Sequence, residues 1–310
     1  MNYLSKETLE GLDVSMAEVI ASMEHLLDVQ ARGKAWVAPK TNVSTDDNRF
    51  MMATLAVADD PPYMAVKALL VNPANPDREL STINSSITLL DSRTGLPVTV
   101  MDGNWVTALR TAGASALVAK RMANSDSSVL ALIGCGVQAR SHLWAFAELF
   151  PLREVRAYGR GNKNRDALCK LATDQGFKAV ASDSARDAVD GADLVVSSIP
   201  LVPEIEPFLD ASWLKPGVFV SSTDFALPWI PNSLRVFDRI IIDDRQQEAA
   251  MAKPMLDPVL ISGDIAELVS GSVNGRSDKC ERTAFVFRSV ALGDLAVAAL
   301  AYEKTLQSHK

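Results

Sequence analysis

Residues 129–139 read Val129-Leu130-Ala131-Leu132-Ile133-Gly134-Cys135-Gly136-Val137-Gln138-Ala139. Five apolar residues lead into a Gly-x-Gly-x-x-Ala turn, and Arg140-Ser141-His142-Leu143-Trp144-Ala145-Phe146 follows with apolar residues at helical spacing. The order is buried strand, glycine turn, helix. Each small residue then has a physical task. Gly134 permits the tight turn, Gly136 lets a pyrophosphate approach the backbone, and Ala139 lets the helix pack closely on the strand. The phosphates meet the amides and the positive dipole end of the helix. The stretch predicts a dinucleotide-binding βαβ unit with Gly134, Gly136, Val137, Gln138 and Ala139 around the pyrophosphate.

One βαβ step downstream, Glu154-Val155-Arg156-Ala157-Tyr158 reads as the next strand. A site for NAD usually ends this strand with an acidic residue that holds the ribose 2′-hydroxyl. Here the chain continues Gly159-Arg160-Gly161-Asn162-Lys163-Asn164-Arg165, with three cations and no carboxylate. Arg160, Lys163 and Arg165 suit a 2′-phosphate, so NADP(H) is the expected cofactor and NAD(H) the possible substitute. A solvated basic loop is the competing reading.

The chain has 310 residues, enough for two domains with good cores, and is 48% hydrophobic and 22% charged. A net charge of −7 argues against nucleic acid as partner and makes the cations after Tyr158 a local feature. Cys135, Cys169 and Cys280 have no CxxC spacing and cannot all pair, which fits a reducing compartment. No apolar run of membrane-spanning length and no leader-like segment near Met1 is present, so the expected location is the cytoplasm, away from membranes. With only His25, His142 and His309 available, no metal site is expected. His142 opens the helix after the glycine turn, where it either lines the cofactor site or packs structurally.

Ser5 with Thr8 makes a poor helix cap, and residues 14–29 carry apolar side chains at helical spacing. From 36 to 99 the pattern turns to short strands at 50–57, 63–71, 87–91 and 97–101, joined by turns that suit antiparallel pairing. Lys67 interrupts the apolar run 64–71. It either points to water from an edge strand or points inward with a lowered pKa, able to exchange a proton near neutral pH. Residues 105–123 read as an alanine-rich helix. Arg110 lies in its first turns, where the dipole disfavours a cation unless an anion is near. It is therefore a candidate clamp for a substrate carboxylate, with a surface arginine as the alternative. Beyond the glycine turn, helices at 167–174 and 185–189 alternate with strands at 178–181, 193–200, 218–223, 239–243 and 285–287, completing a doubly wound α/β sheet. Ligands in such sheets bind at the carboxyl ends of strands, which draws attention to Ser197, Ser198, Ser222, Thr223 and Asp224. A final amphipathic helix covers 292–307.

These residues resemble the ornithine cyclodeaminase and μ-crystallin family over nearly the whole chain. The resemblance rests on Met101-Asp102-Gly103-Asn104 with Thr107-Ala108-Leu109-Arg110-Thr111-Ala112, on Ile133 to Ala139, and on Leu89-Leu90-Asp91 before Thr94-Gly95. Leu214-Lys215-Pro216-Gly217 and Leu292-Gly293-Asp294-Leu295-Ala296 support it. It implies a Rossmann-type nucleotide domain at 121–291 inserted in an α+β substrate and dimerisation domain made of 1–120 plus 292–310, and a homodimer. Lys67 and Asp294 look like the family's catalytic pair. Arg110 looks like its carboxylate-binding arginine, and Thr111 joins the cofactor contacts. A second such arginine is replaced by Lys40 in this register, with Arg49 as the other candidate. The aspartate that true cyclodeaminases carry after a glycine pair falls on Ala226, two residues beyond Asp224.

The implied activity is NADPH-dependent reduction of the C=N bond of a small cyclic or open-chain 2-imino acid, a ketimine such as pyrroline-2-carboxylate, to an amino acid. An ornithine or lysine cyclodeaminase, or an NAD-dependent amino-acid dehydrogenase, is the alternative enzyme. A crystallin-like protein that binds NADPH without turnover is the alternative of another class. Side-chain selectivity would depend on which of Phe50, Met52, Thr54 and Phe225 line the pocket.

Overall fold

Two nine-residue runs that are apolar almost throughout, Phe50–Ala58 and Tyr63–Val71, build the first sheet, with the more buried residues on alternate positions. The computed structural model describes residues 2–200 and 205–308, so His309 lies outside the described residues. The chain divides into two compact units, Met1–Ala114 with Val290–Lys310, and Ser115–Ser289. The sequence reading sets these borders at 120/121 and 291/292.

The first unit contains β1 (Asn2–Leu4), α1 (Lys6–Glu10), α2 (Met16–Ala31), β2 (Ala35–Val37), β3 (Thr41–Ser44), β4 (Phe50–Ala58), β5 (Tyr63–Val71), β6 (Ile83–Asp91), β7 (Pro97–Asp102) and the start of α3 (Gly103–Met122). The strand order is β1-β7-β6-β5-β4-β2, with β3 also on β4. Every pairing is antiparallel except β1 with β7. Among the described residues, Lys67 is thus in a central strand, which removes the edge-strand reading. The apolar stripe of α2 (Val19, Ile20, Met23, Leu26, Leu27) is buried, and Ser22 Oγ donates to Ala296 O of the C-terminal helix, Ala291–Ser308, at 3.0 Å. α3 approaches α2 so closely that a Cβ on Gly113 would meet Val19 Cγ1 at 2.5 Å. Asp102 Oδ1 accepts the Trp105 amide at 2.7 Å and starts α3 two residues before the sequence-read boundary.

Two local expectations change. Ser5 does cap a helix, the short α1, by accepting the Thr8 amide at 3.3 Å. β1 to β3 were not anticipated, because strands of three or four residues, mostly exposed, carry little alternation.

The second unit runs β8 (Val129–Ile133), α4 (Val137–Leu149), β9 (Glu154–Tyr158), α5 (Asn162–Asp174), β10 (Lys178–Ala181), α6 (Ala185–Val189), β11 (Leu194–Ser197), β12 (Phe219–Ser222), β13 (Arg239–Ile242), α7 (Arg245–Ala249), β14 (Ile261–Asp264), α8 (Ile265–Ser270) and β15 (Thr283–Val286). Its order is β10-β9-β8-β11-β12-β15-β13-β14, parallel throughout. This is a doubly wound α/β sheet whose order reverses between β8 and β11, and the glycine turn sits at the end of β8. α5 begins five residues earlier than the sequence reading placed it, so Lys163 and Arg165 lie on a helix rather than in a loop. Among the described residues no helix is long and apolar enough to cross a membrane.

Candidate functional site

Within the first unit, β4 and β5 pair with Thr54 opposite Lys67. Both side chains point to the face covered by the C-terminal helix, whose first turn carries Asp294. Lys67 Nζ donates to Asp294 Oδ1 at 2.7 Å, and Thr54 Oγ1 donates to Oδ2 at 2.9 Å. Arg110 Nε, from α3, stands 3.1 Å from the same Oδ1. The four residues are 1–5% exposed. With α3 starting at Gly103, Arg110 lies two turns into the helix, so Asp294 offsets its buried charge rather than a helix-dipole penalty.

Electrostatics make Lys67 the adjustable member. Loss of solvent, opposed by Asp294 and reinforced by Arg110, leaves its pKa lowered to about 8. Burial also disfavours the Asp294 carboxylate, but Lys67 and Arg110 outweigh that and hold it below its usual range. The result is an ammonium that stays charged at neutral pH and can release a proton slightly above it. Thr54 was read only as a pocket residue. Its hold on Asp294 could not be anticipated, because nothing local pairs a threonine with an acid 240 positions away.

The two candidates for a second carboxylate-binding cation are placed differently. Lys40 is half-buried and lies in the link just before β3, whose first residue Thr41 pairs with Ala53 beside Thr54. Arg49 sits in the β3–β4 turn, is exposed, and gives its Nε to both oxygens of Asp47 at 2.8 and 2.9 Å. That ion pair draws the Asp47 pKa down to about 2. Thr111 is buried and donates its hydroxyl to Thr107 O in the preceding turn at 2.7 Å.

The glycine turn of the second unit has the backbone that the motif requires. Gly134 adopts φ +95°, and a Cβ there would lie 2.4 Å from Ser198 O. No side chain can occupy that position without moving the backbone. Gly136 is the N-cap of α4, has open space where its Cβ would be, and provides no side-chain cap. Ala139 is fully buried, Val137 is exposed, and Gln138 Oε1 and Ser198 Oγ are buried without a hydrogen-bond partner among the described residues. α5 likewise begins at a glycine, Gly161, with no side-chain cap. Neither α4 nor α5 has an acid in its first turn, whereas α1, α2, α6, α7 and α8 all do. Arg160 and Lys163 are exposed at the start of α5, and Arg165 Nε pairs with Asp166 at 3.1 Å. Cations in the first turn oppose the helix dipole, so an anion bound there would relieve them. The uncapped start of α4 after the glycine turn suits a dinucleotide's pyrophosphate.

The polar strand ends are used differently from the expectation. Asp224 is fully buried and accepts from Ser222 Oγ at 2.5 Å, Ser197 Oγ at 2.9 Å and the Ile199 amide at 3.2 Å. Burial raises its pKa despite these donors. It braces the ends of β11 and β12 and presents no carboxylate that could stand in for the residue missing at Ala226. Ser197 is further tied by Trp229 Nε1 at 3.1 Å, and Thr223 Oγ1 donates to Ser197 O at 3.2 Å. Phe225 and Ala226 both have positive φ, at 61° and 57°, just after this brace.

His142 is structural. It is fully buried, with Nδ1 2.7 Å from Gln138 O and Nε2 2.8 Å from Ser115 Oγ, which lies 2.7 Å from Ser221 Oγ. A carbonyl can only accept, so Nδ1 carries the proton and Nε2 accepts from Ser115. Burial lowers the His142 pKa from 6.5 to about 4. The unfolded chain therefore binds a proton that the folded chain refuses between these values, and stability present above pH 6.5 is lost as pH falls towards 4. Urea unfolding of the parent and of His142→Gln at pH 7 and near pH 4.5 should show the parent losing roughly 2–3 kcal/mol more than the variant. Equal losses would mean the ring is accessible to protons in the folded state.

Residues 4–309 match the profile of the ornithine cyclodeaminase/mu-crystallin family. The ketimine reductase mu-crystallin of Mus musculus is 34% identical over 227 residues, spanning 71% of this chain and 69% of the relative. The Δ1-pyrroline-2-carboxylate reductase of Thermococcus litoralis, solved with NADH and L-proline, is 29% identical with a TM-score of 0.92, over 100% of this chain and 98% of the other. An archaeal alanine dehydrogenase dimer with bound NAD is 28% identical with a TM-score of 0.87, over 99% and 97%.

Proposed function

The chain belongs to the ornithine cyclodeaminase/mu-crystallin family, and on that premise we propose that it is an NADPH-dependent reductase of small 2-imino acids. The carrying observation is the buried Lys67, fixed by Asp294 and sharing that carboxylate with Arg110. Arg110 and Lys40 take the substrate carboxylate, and the guanidinium fixes its orientation. Lys67 gives a proton from Nζ to the imine nitrogen, which makes the imine carbon a better electrophile. When bound, the dinucleotide supplies a hydride from C4 of its nicotinamide. Hydride on carbon and proton on nitrogen convert C=N to CH–NH, and Lys67 regains its proton from water.

The choice of NADPH rests on Arg160 and on the acid-free start of α5 that carries Lys163 and Arg165. The reductive direction is favoured over ornithine cyclisation because Ala226 offers no base and Asp224 is enclosed. The homodimer reading is supported by one face of the first sheet. Trp36, Val43, Met51, Leu55 and Leu70 are 36–61% exposed there, an apolar surface that a second copy would cover.

Three measurements test this reading. Since the acid form of Lys67 is required, kcat/KM for imine reduction should be sustained at neutral pH and fall as pH rises through about 8. Lys67→Met should lose about a hundredfold or more in rate while NADPH still binds. A flat profile together with a near-normal Lys67→Met enzyme overturns the role. Arg160→Ala should weaken NADPH binding about tenfold or more and leave NADH binding nearly unchanged. Equal losses, or a parent that prefers NADH, remove the phosphate assignment. Light scattering should give twice the chain mass for the parent, and Leu55→Lys should shift the protein towards monomer. A monomeric parent removes the dimer.

A further inference from the structure

Strand geometry arranges the face that carries Lys67 in rows. Side chains two apart on a strand share a face, and the register aligns them across strands. Thr54, Lys67 and Ile87 form one row across β4, β5 and β6. On one side lies the row Ala56, Ala65 and Leu89, which is 0–3% exposed and closed off. On the other side comes the row Met52, Leu69 and Ser85, in which Met52 and Ser85 are half-buried and Leu69 is 8% exposed, and beyond it Phe50, Val71 and Ile83, the last 46% exposed. Along the strands, the Lys67 row is therefore flanked by a buried row on one side and a more exposed one on the other.

That floor is hydrocarbon. None of these six described residues is charged, and Ser85, the one polar member, already donates its hydroxyl to Asn104 Oδ1 at 2.9 Å. α3 starts directly against it, since a Cβ on Gly103 would lie 2.6 Å from Ser85 Oγ. Successive rows are about 7 Å apart, so a group on the imine carbon reaches the Met52 row while the nitrogen stays at Lys67.

Resting on the imine-reductase reading, we propose that the substrate is a 2-imino acid whose side chain is an uncharged branched or cyclic hydrocarbon, held on Met52 and Leu69. A second carboxylate or an amine on that side chain would lie on this floor without a partner. An apolar group gains from leaving water there, whereas an unpaired charge loses its hydration.

The test uses the full-length protein with NADPH, methylamine and one of three 2-oxo acids: pyruvate, 4-methyl-2-oxopentanoate or 2-oxoglutarate. The expected order of kcat/KM is 4-methyl-2-oxopentanoate, then pyruvate, then 2-oxoglutarate, with about tenfold or more between first and last. Met52→Lys should raise the 2-oxoglutarate to 4-methyl-2-oxopentanoate ratio by about tenfold, because it supplies the missing cation. A parent that reduces the 2-oxoglutarate imine as well as the 4-methyl-2-oxopentanoate imine overturns the side-chain assignment and leaves the reductase reading standing. No NADPH consumption with any of the three, or with pyrroline-2-carboxylate, overturns the reductase reading itself. The parent panel decides even if Met52→Lys fails to fold.

Discussion

The Asp294 carboxylate organises the first unit. It draws Lys67 of β5, Arg110 of α3 and Thr54 of β4 to the first turn of the C-terminal helix, so one buried anion joins three elements from one end of the chain to a fourth from the other. Burying charges is costly, and a buried ion pair is weak evidence of stability by itself. The arrangement is better understood as electrostatic positioning. Lys67, Arg110 and Asp294 together carry one positive charge, the sign that a substrate carboxylate requires, and the ammonium is left with a pKa close to neutrality.

The sheet decides what can approach that ammonium. Because β4, β5 and β6 are in register, Lys67 and the row of Met52, Leu69 and Ser85 are neighbours on the same face. The row of Ala56, Ala65 and Leu89 on one side is buried, and the row on the other side is mainly hydrocarbon.

The second unit works by backbone geometry. Gly134 lets β8 turn within contact of Ser198, and Gly136 begins α4 without a side chain over its amides. Polar side chains that might have faced a ligand are instead used for bracing. Asp224, Ser197, Ser222 and Trp229 lock the ends of β11 and β12, and Ser221, Ser115 and His142 fix the first turn of α4. Strand-end serines were attractive candidates in the sequence because the fold puts ligands there, but a hydroxyl in a parallel sheet also satisfies its neighbours.

Whatever depends on neighbours along the chain was legible without a structure. The glycine turn, the strands at 63–71 and 129–133, the helix at 185–189 and the alternation that makes a doubly wound sheet all follow from local sterics and periodic burial. Short exposed strands such as β3, and the early start of α5 at Gly161, carry too weak a pattern to be read that way. The direction of Lys67 was undecidable from its own strand, since an apolar run with one lysine suits an edge as well as a centre. Its answer came from a partner 227 residues away, and that of Arg49 from the turn acid Asp47, which holds its guanidinium in an exposed ion pair. Sequence determines which side chains can hold a charge and where the backbone can bend, but a buried charge persists only where another is brought to it, and that meeting is made by tertiary structure alone.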